Sequence, residues 1–189
     1  MELPENLLEA FEQVKREDFV PDRFVGYEYE DIDLPTEDQS TISQPSTIAF
    51  MLKLLDSKQG QKILEIGSGS GYTLALLSKT IKNGNIIGIE RLKKLAIQSK
   101  QILSGDSNIE IINKDGFHGF PEQSPYDRII VSGAYEEVPY FLLEQLSPSG
   151  ILVVPVRQSI FQLIKNNGEV LEKEFPGFAF VPMIPENQE

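Results

Sequence analysis

The run Glu65-Ile66-Gly67-Ser68-Gly69-Ser70-Gly71-Tyr72 sets three glycines at alternate positions behind an acid. Glycines in such a turn let the backbone double back and let a ligand approach the main chain, while the helix that follows offers unpaired N–H groups. Glu90 comes about 20 residues later, where an acid can accept hydrogen bonds from ribose hydroxyls. The two elements together describe a site for an adenosine-type ligand. A dinucleotide turn spaces its glycines G-x-G-x-x-G to seat a pyrophosphate. Here the spacing is G-x-G-x-G, no second nucleotide half follows, and Glu65 would repel a pyrophosphate. The same acid could hold the ammonium group or the positive sulfonium side of S-adenosylmethionine, which favours the methyl donor. Asp115-Gly116 falls where an acid or its neighbouring backbone could meet an adenine amino group, although Asp-Gly is also an ordinary turn.

With no cysteine and one histidine, His118, the chain offers no catalytic thiol, disulfide framework or cysteine- and histidine-based metal site. That inventory is no obstacle to methyl transfer onto a group already ionised at neutral pH, which needs no general base. The protein then has only to align the reactants and exclude water. His118 is therefore expected to be a surface or packing residue, with Phe117, Phe120 and Tyr126 packing the same loop. Tyr72 and Tyr135 are better placed for ligand contact, since each follows the C-terminal end of a strand.

The elements that must position these residues can be read from periodicity. Leu7, Leu8, Phe11 and Val14 predict a helix over Glu5 to Lys15, and Ile48, Met51, Leu52 and Leu55 a second from Pro45 to Leu55, with Ser46 a plausible start. Between them, from Phe19 to about Gln44, lies a long segment of little periodicity, which in a compact domain is usually a lid or binding loop. Aliphatic runs then alternate with helical patterns. Strands are expected at Lys62 to Ile66, Asn85 to Glu90, Ile109 to Ile112, Arg128 to Val131 and Ile151 to Val156. Helices are expected at Tyr72 to Ile81, Leu92 to Leu103 and Val138 to Leu146. Continuous apolar strands alternating with helices imply an α/β fold with a parallel sheet covered on both faces. The last part reads as two strands joined at Asn167-Gly168, a hairpin turn.

At 189 residues the chain is expected to be one domain, 1–189, with 1–56 a helical and loop extension. The net charge of -12 disfavours nucleic acid, whose binders usually carry a basic face. No leader or membrane-spanning pattern is evident, so the expected setting is the cytoplasm.

The segments DQSTISQPSTIAFML, KILEIGSGSGYTLALLSK, GIER, INKDGFHGFPEQSPYDRIIVSGA, VPYFLLEQLSPSGILVVPV and GFAFVPM together resemble the protein-L-isoaspartate O-methyltransferase family, in order and over nearly the whole chain. The glycine turn is shared by many class I methyltransferases; Thr41-Ile42-Ser43 before Gln44-Pro45, and PYDRIIV, are more specific. The resemblance implies a Rossmann-like sheet of seven strands, the last antiparallel, with helices on both faces. It implies that Ser43 hydrogen-bonds the acceptor carboxylate. Glu65, Gly67, Gly69 and Gly71 match the first cofactor motif, Glu90 the ribose-binding acid, and Asp115 with Gly116 the adenine side. The implied reaction moves a methyl group from S-adenosylmethionine to the α-carboxyl of L-isoaspartyl residues in damaged proteins, with no metal, by a monomer. The ester then collapses to a succinimide that reopens partly to normal aspartate. The chain departs from the family pattern at 36–40, Ser46, 135–138, Ser149 and Arg157, so a class I methyltransferase for another small acceptor, or a non-catalytic cofactor-binding module, are the competing readings. Adenine N-methylation is disfavoured: Val131-Ser132-Gly133-Ala134 stands where an Asn/Asp-Pro-Pro-aromatic motif would be needed.

Overall fold

A computed structural model of the chain describes residues 2–37, 40–166 and 168–185. Helix α1 (Glu5–Gln13) follows Pro4 and buries Leu7 and Ala10. It stops short of Lys15 because the chain tightens into a 3₁₀ turn, Arg16–Phe19, that carries Arg16 and Phe19 inward. The expected loop holds a second 3₁₀ turn, Asp22–Phe24, and a small antiparallel ribbon of β1 (Leu34–Pro35) and β2 (Thr41–Ile42). Part of that loop, Asp38 and Gln39 within the divergent stretch 36–40, lies outside the described residues. Helix α2 (Pro45–Leu55) has its expected bounds, with Pro45 in the first turn, where a missing N–H costs nothing. Ser46 is not its cap. Instead the Ser46 N–H donates to Asp31 Oδ1 at 2.9 Å, and Gln44 Nε2 to Asp31 Oδ2 at 2.9 Å.

Strand β3 (Lys62–Ile66) leads into α3 (Tyr72–Thr80), β4 (Asn85–Glu90), α4 (Lys93–Ile102) and β5 (Ile109–Asn113). The chain then crosses back to β6 (Tyr126–Val131) and continues through β7 (Leu146–Val156), β8 (Ser159–Asn166) and β9 (Glu169–Pro176). The seven strands lie in the order β5-β4-β3-β6-β7-β8-β9. Pairings from β5 to β7 are parallel, and β7 to β8 and β8 to β9 antiparallel, as expected of a sheet closed by an antiparallel strand. Asn166 pairs with Glu169, and Gly168 takes a φ of +94°, which suits a two-residue turn. Asn167, the other turn residue, lies outside the described residues.

Successive strand residues feed opposite cores. Ile63, Ile86, Ile130 and Val153 pack under the four α-helices; Leu64, Ile87, Ile129 and Leu152 pack on the other side. That second face carries no α-helix among the described residues. The helix expected at Val138 to Leu146 is a six-residue 3₁₀ turn, Tyr140–Gln145, anchored by the fully buried Leu142. The reason lies in how the β6-to-β7 connection is used. Tyr135 forms a bridge with Val156 of β7 and Ala134 one with Pro182, so the chain turns helical only after Pro139 and has little length left.

The helices of β3-α3-β4-α4-β5 share one face, and the chain returns to β6 on the other side of β3. Strand order therefore reverses at β3, and the crevice beyond the C-terminal ends of β3, β4 and β6 is where an open α/β sheet binds its ligand.

Candidate cofactor and acceptor site

At the end of β3 the backbone makes the tight turn that the sequence demands. Gly67, Gly69 and Gly71 have φ of +77°, +52° and +90°, a region L-residues with a Cβ avoid. The N–H groups of Gly67 and Ser68 both donate to Ile89 O, at 2.9 and 3.0 Å, which ties the turn to β4. A side chain at Gly71 would sit 2.8 Å from Leu103 Cδ1, whereas at Gly69 nothing lies within 4 Å. Gly69 is thus the point where the main chain faces open space. Gly69→Ala is expected to weaken S-adenosylhomocysteine binding about tenfold, since it combines a left-handed strain of roughly 1 kcal/mol with a methyl group in the ligand's path. Calorimetry reads this, and an unchanged dissociation constant would remove Gly69 from the site.

Glu90 closes the turn from the side. Its Oε2 accepts the Gly69 N–H at 2.8 Å and its Oε1 the Leu92 N–H at 2.7 Å. Each oxygen keeps a lone pair for a further donor. Burial raises the Glu90 pKa, and the Leu92 and Gly69 N–H groups, with the charge and backbone of Arg91, pull it back. Asp115 Oδ1 accepts the Phe117 N–H at 2.8 Å, which makes this an Asx-type turn. A Cβ on Gly116 would lie 2.9 Å from Ile66 Cγ2 and 3.0 Å from Ile89 Cγ2, so the turn can press onto the ends of β3 and β4 only as glycine. Three strand ends thus converge with their acids on one rim.

Glu65 is the most unusual group. It is 1% exposed, its Oε1 accepts Ser132 Oγ at 2.7 Å, and its Oε2 has no hydrogen-bond partner. Burial pushes its pKa up to about 8; the Ser132 and Thr73 hydroxyls lower it, and the Glu90 charge raises it. Buried carboxylate oxygens are almost always partnered. A buried acid with one unpartnered oxygen, two further carboxyl groups at neighbouring strand ends and a bare glycine backbone fit a cationic, hydroxyl-rich ligand such as S-adenosylmethionine.

A groove of about 770 Å³ opens beside this rim. Thr41, Ser43 and Gln44 line one wall, residues 177–182 the other, and Ser132 belongs to it as well. Ser43, distant in sequence from the glycine turn, is thereby brought to the same opening as the hydroxyl that bonds Glu65. The far wall is held by backbone bonds, Ala134 N–H to Val181 O and Met183 N–H to Ala134 O, both 2.8 Å, and by Phe178 stacked on Phe50 of α2 at 5.3 Å. A Cβ on Gly133 would meet Met183 Sδ at 2.8 Å, so Gly133 lets this wall close on the end of β6.

Other candidates fall elsewhere. His118 is exposed, edge-on to Phe117 and tilted against Phe141, while Phe120 and Tyr126 are buried and joined by Tyr126 Oη donating to Phe120 O at 2.6 Å. Tyr72 is buried against Phe11 and Phe19, and Tyr135 donates its hydroxyl to Phe117 O at 2.5 Å, so both rings are occupied in packing. Arg157 lies on the surface 3.8 Å from Glu136 and is not among the residues that line the groove. Sequence reasoning missed Ser132 and the 177–182 wall. A serine directly after an apolar strand that reaches the binding edge was the available signal for the first; the second had none beyond its place in a shared segment. Among the described residues no cluster of His, Asp and Glu could hold a metal ion, and no helix is long and apolar enough to cross a membrane.

Residues 2–188 match the family described as Protein-L-isoaspartate(D-aspartate) O-methyltransferase. A protein-L-isoaspartate O-methyltransferase of Thermosipho melanesiensis is 41% identical over 186 residues, covering 95% of this chain and 94% of the relative. A solved structure of a protein-L-isoaspartate O-methyltransferase superposes with a TM-score of 0.87 at 30% identity over 95% of this chain; the chain spans 61% of that structure's length. A Plasmodium falciparum chain, described as a protein-L-isoaspartate O-methyltransferase and solved in complex with S-adenosyl-L-homocysteine, gives a TM-score of 0.84 at 25% identity, covering 96% of this chain and 91% of its own.

Proposed function

The chain belongs to the protein-L-isoaspartate(D-aspartate) O-methyltransferase family, and we infer that it transfers the methyl group of S-adenosylmethionine to the α-carboxyl of L-isoaspartyl residues in damaged proteins. The observation that carries this reading is the groove that joins the Ser43 loop to Ser132 and, through it, to the buried acid of the cofactor turn.

S-adenosylmethionine, when bound, supplies an electrophilic methyl group on a positive sulfur. Gly69 would offer its backbone to it, Glu90 would accept from its ribose hydroxyls with the lone pairs left over from the Gly69 and Leu92 N–H groups, and Asp115 with Gly116 would flank the adenine. Glu65 would face the cationic end. The acceptor carboxylate arrives ionised at neutral pH, so no side chain has to remove a proton. Ser43 donates its hydroxyl to one carboxylate oxygen and leaves the other aimed at the methyl. The walls at Thr41 to Gln44 and 177–182 exclude water, which strengthens that hydrogen bond and holds the reactants near attack geometry.

The reading extends to a monomeric, cytoplasmic enzyme of a single domain. Residues 1–56 as an integral extension are supported by the core, since Leu7, Ile42 and Leu55 pack in the same cluster as Ile63 and Leu74. The decisive experiment offers the protein a synthetic L-isoaspartyl peptide and its aspartyl twin with labelled S-adenosylmethionine. Label enters the first and not the second. Cofactor binding with no transfer to the isoaspartyl peptide would instead support another small acceptor.

A further inference from the structure

Arg16 is a buried guanidinium that makes no ion pair among the described residues. It is 2% exposed, and its four terminal N–H contacts all go to main-chain oxygens: Nη1 to Glu28 O at 2.9 Å and Glu30 O at 3.1 Å, Nη2 to Ile32 O at 2.9 Å and Ser43 O at 3.2 Å. Its Nε has no partner. Burying a cation is costly unless dipoles or charges compensate, so a chain keeps such a group where its fixed fork of donors is needed. These four carbonyls span the long loop and end on Ser43 itself.

The chain just after Ser43 is tied to the same loop. Asp31, which lies between the carbonyls that Arg16 holds, accepts the Gln44 side chain and the Ser46 N–H. Ser43 and the chain that follows it are thus fixed to one short piece of the loop, and that piece is gathered around one guanidinium. On its inner side Arg16 acts on the Tyr72 phenol, the first residue after the glycine turn, opposing the burial that pushes this phenol up to about 12. The charges of Asp31 and Asp33 act on Arg16 as well, and Asp33 lines the groove.

We propose that Arg16 is a positioning residue for the acceptor: by gathering the carbonyls of Glu28, Glu30, Ile32 and Ser43 it sets where Ser43 stands in the groove, without touching either substrate. This rests on Ser43 being the acceptor-side donor. Lysine cannot replace it, since an ammonium is a point donor that cannot reach four carbonyls held at the edges of a planar fork. Arg16→Lys and Arg16→Gln therefore damage acceptor use selectively.

The test measures steady-state transfer to an isoaspartyl peptide together with S-adenosylhomocysteine affinity by calorimetry. Wild-type transfer is the control that tests the underlying reading by itself; if it fails, that reading has failed, whatever the variants do. With wild type active, Arg16→Gln and Arg16→Lys are expected to raise the acceptor KM roughly tenfold or more and to lower kcat, with S-adenosylhomocysteine affinity within about twofold, the pattern of a lost orientation rather than a lost fold. Millimolar guanidinium, well below denaturing levels, should restore part of kcat/KM in Arg16→Gln, because the cavity left behind has the shape and carbonyl lining of the missing group. Wild-type acceptor kinetics in a folded variant would overturn the proposal. So would parallel loss of peptide use and cofactor affinity, or failure of both variants to fold, since each marks a residue that serves the core at large.

Discussion

Ser43→Ala is expected to slow methyl transfer to an isoaspartyl peptide by roughly ten- to a thousandfold, the range for removing one oriented donor from a desolvated site. S-adenosylmethionine affinity should stay within a few-fold. The separation follows from the architecture. The cofactor rim is built from strand ends whose partners are Ile89, Glu90 and Leu92, whereas Ser43 belongs to the opposite wall and is held by Arg16 and the start of α2. Losing the hydroxyl leaves both scaffolds intact and takes away only the group that fixes the carboxylate's rotation. Label incorporation under saturating peptide, with calorimetry on the same preparation, reads both quantities. Unchanged turnover would remove Ser43 from the mechanism and turn attention to Ser132.

The second large effect is on pH dependence. In the unfolded chain Glu65 titrates near the ordinary 4.5, and in the fold at about 8. Between these values the folded state keeps a proton that the unfolded state has released. Stability of the ligand-free protein therefore falls as pH rises through this window, by up to about 1.4 kcal/mol per unit, and levels off above it; below the lower value both states are protonated and the penalty is absent. Summed over the window the difference is on the order of 5 kcal/mol, large against the marginal stability of a domain. Glu65→Gln cannot titrate, so its unfolding free energy should gain on wild type steadily from about pH 5 to pH 8, as read from denaturant titrations at each pH. Binding of the cationic S-adenosylmethionine should reverse the preference and release a proton, detectable as a buffer-dependent heat at pH 7 that Glu65→Gln lacks. Parallel pH profiles for the two proteins would mean that Glu65 ionises as freely folded as unfolded.

What could be read in advance followed from how local the signal was. The Lys62–Ile66, Asn85–Glu90 and Pro45–Leu55 elements have the bounds their patterns announce, because the two strands bury near-continuous runs and the helix buries Ile48, Met51, Leu52 and Leu55 on one face. The glycine turn was legible because a positive φ at Gly67, Gly69 and Gly71 leaves few alternatives to glycine. Val138 to Leu146 misled because its apolar spacing is helical, whereas the chain is committed upstream to bridges with Val156 and Pro182 that no local pattern encodes. The site divides along the same line. Glu65, Glu90 and Asp115 sit at strand ends, whose positions the pattern gives. Arg16 is invisible in this sense: an arginine after an amphipathic helix reads as solvated, and only the carbonyls of a loop 12 to 27 residues away make it a core residue.

The place of β3 at the reversal of strand order has a kinetic consequence. Its edge toward β4 can pair with chain made shortly afterwards, but its other edge must wait for β6, and the Lys62 N–H finds its Asp127 partner 65 residues downstream. Closing so long a loop carries an entropy cost before any contact rewards it, so registration of β3 with β6 should limit refolding. During synthesis the glycine turn exists as sequence well before Ser132 and the 177–182 wall that complete it. Until then the chain carries the open edge of a highly apolar strand, the kind of surface that mispairs or engages a chaperone.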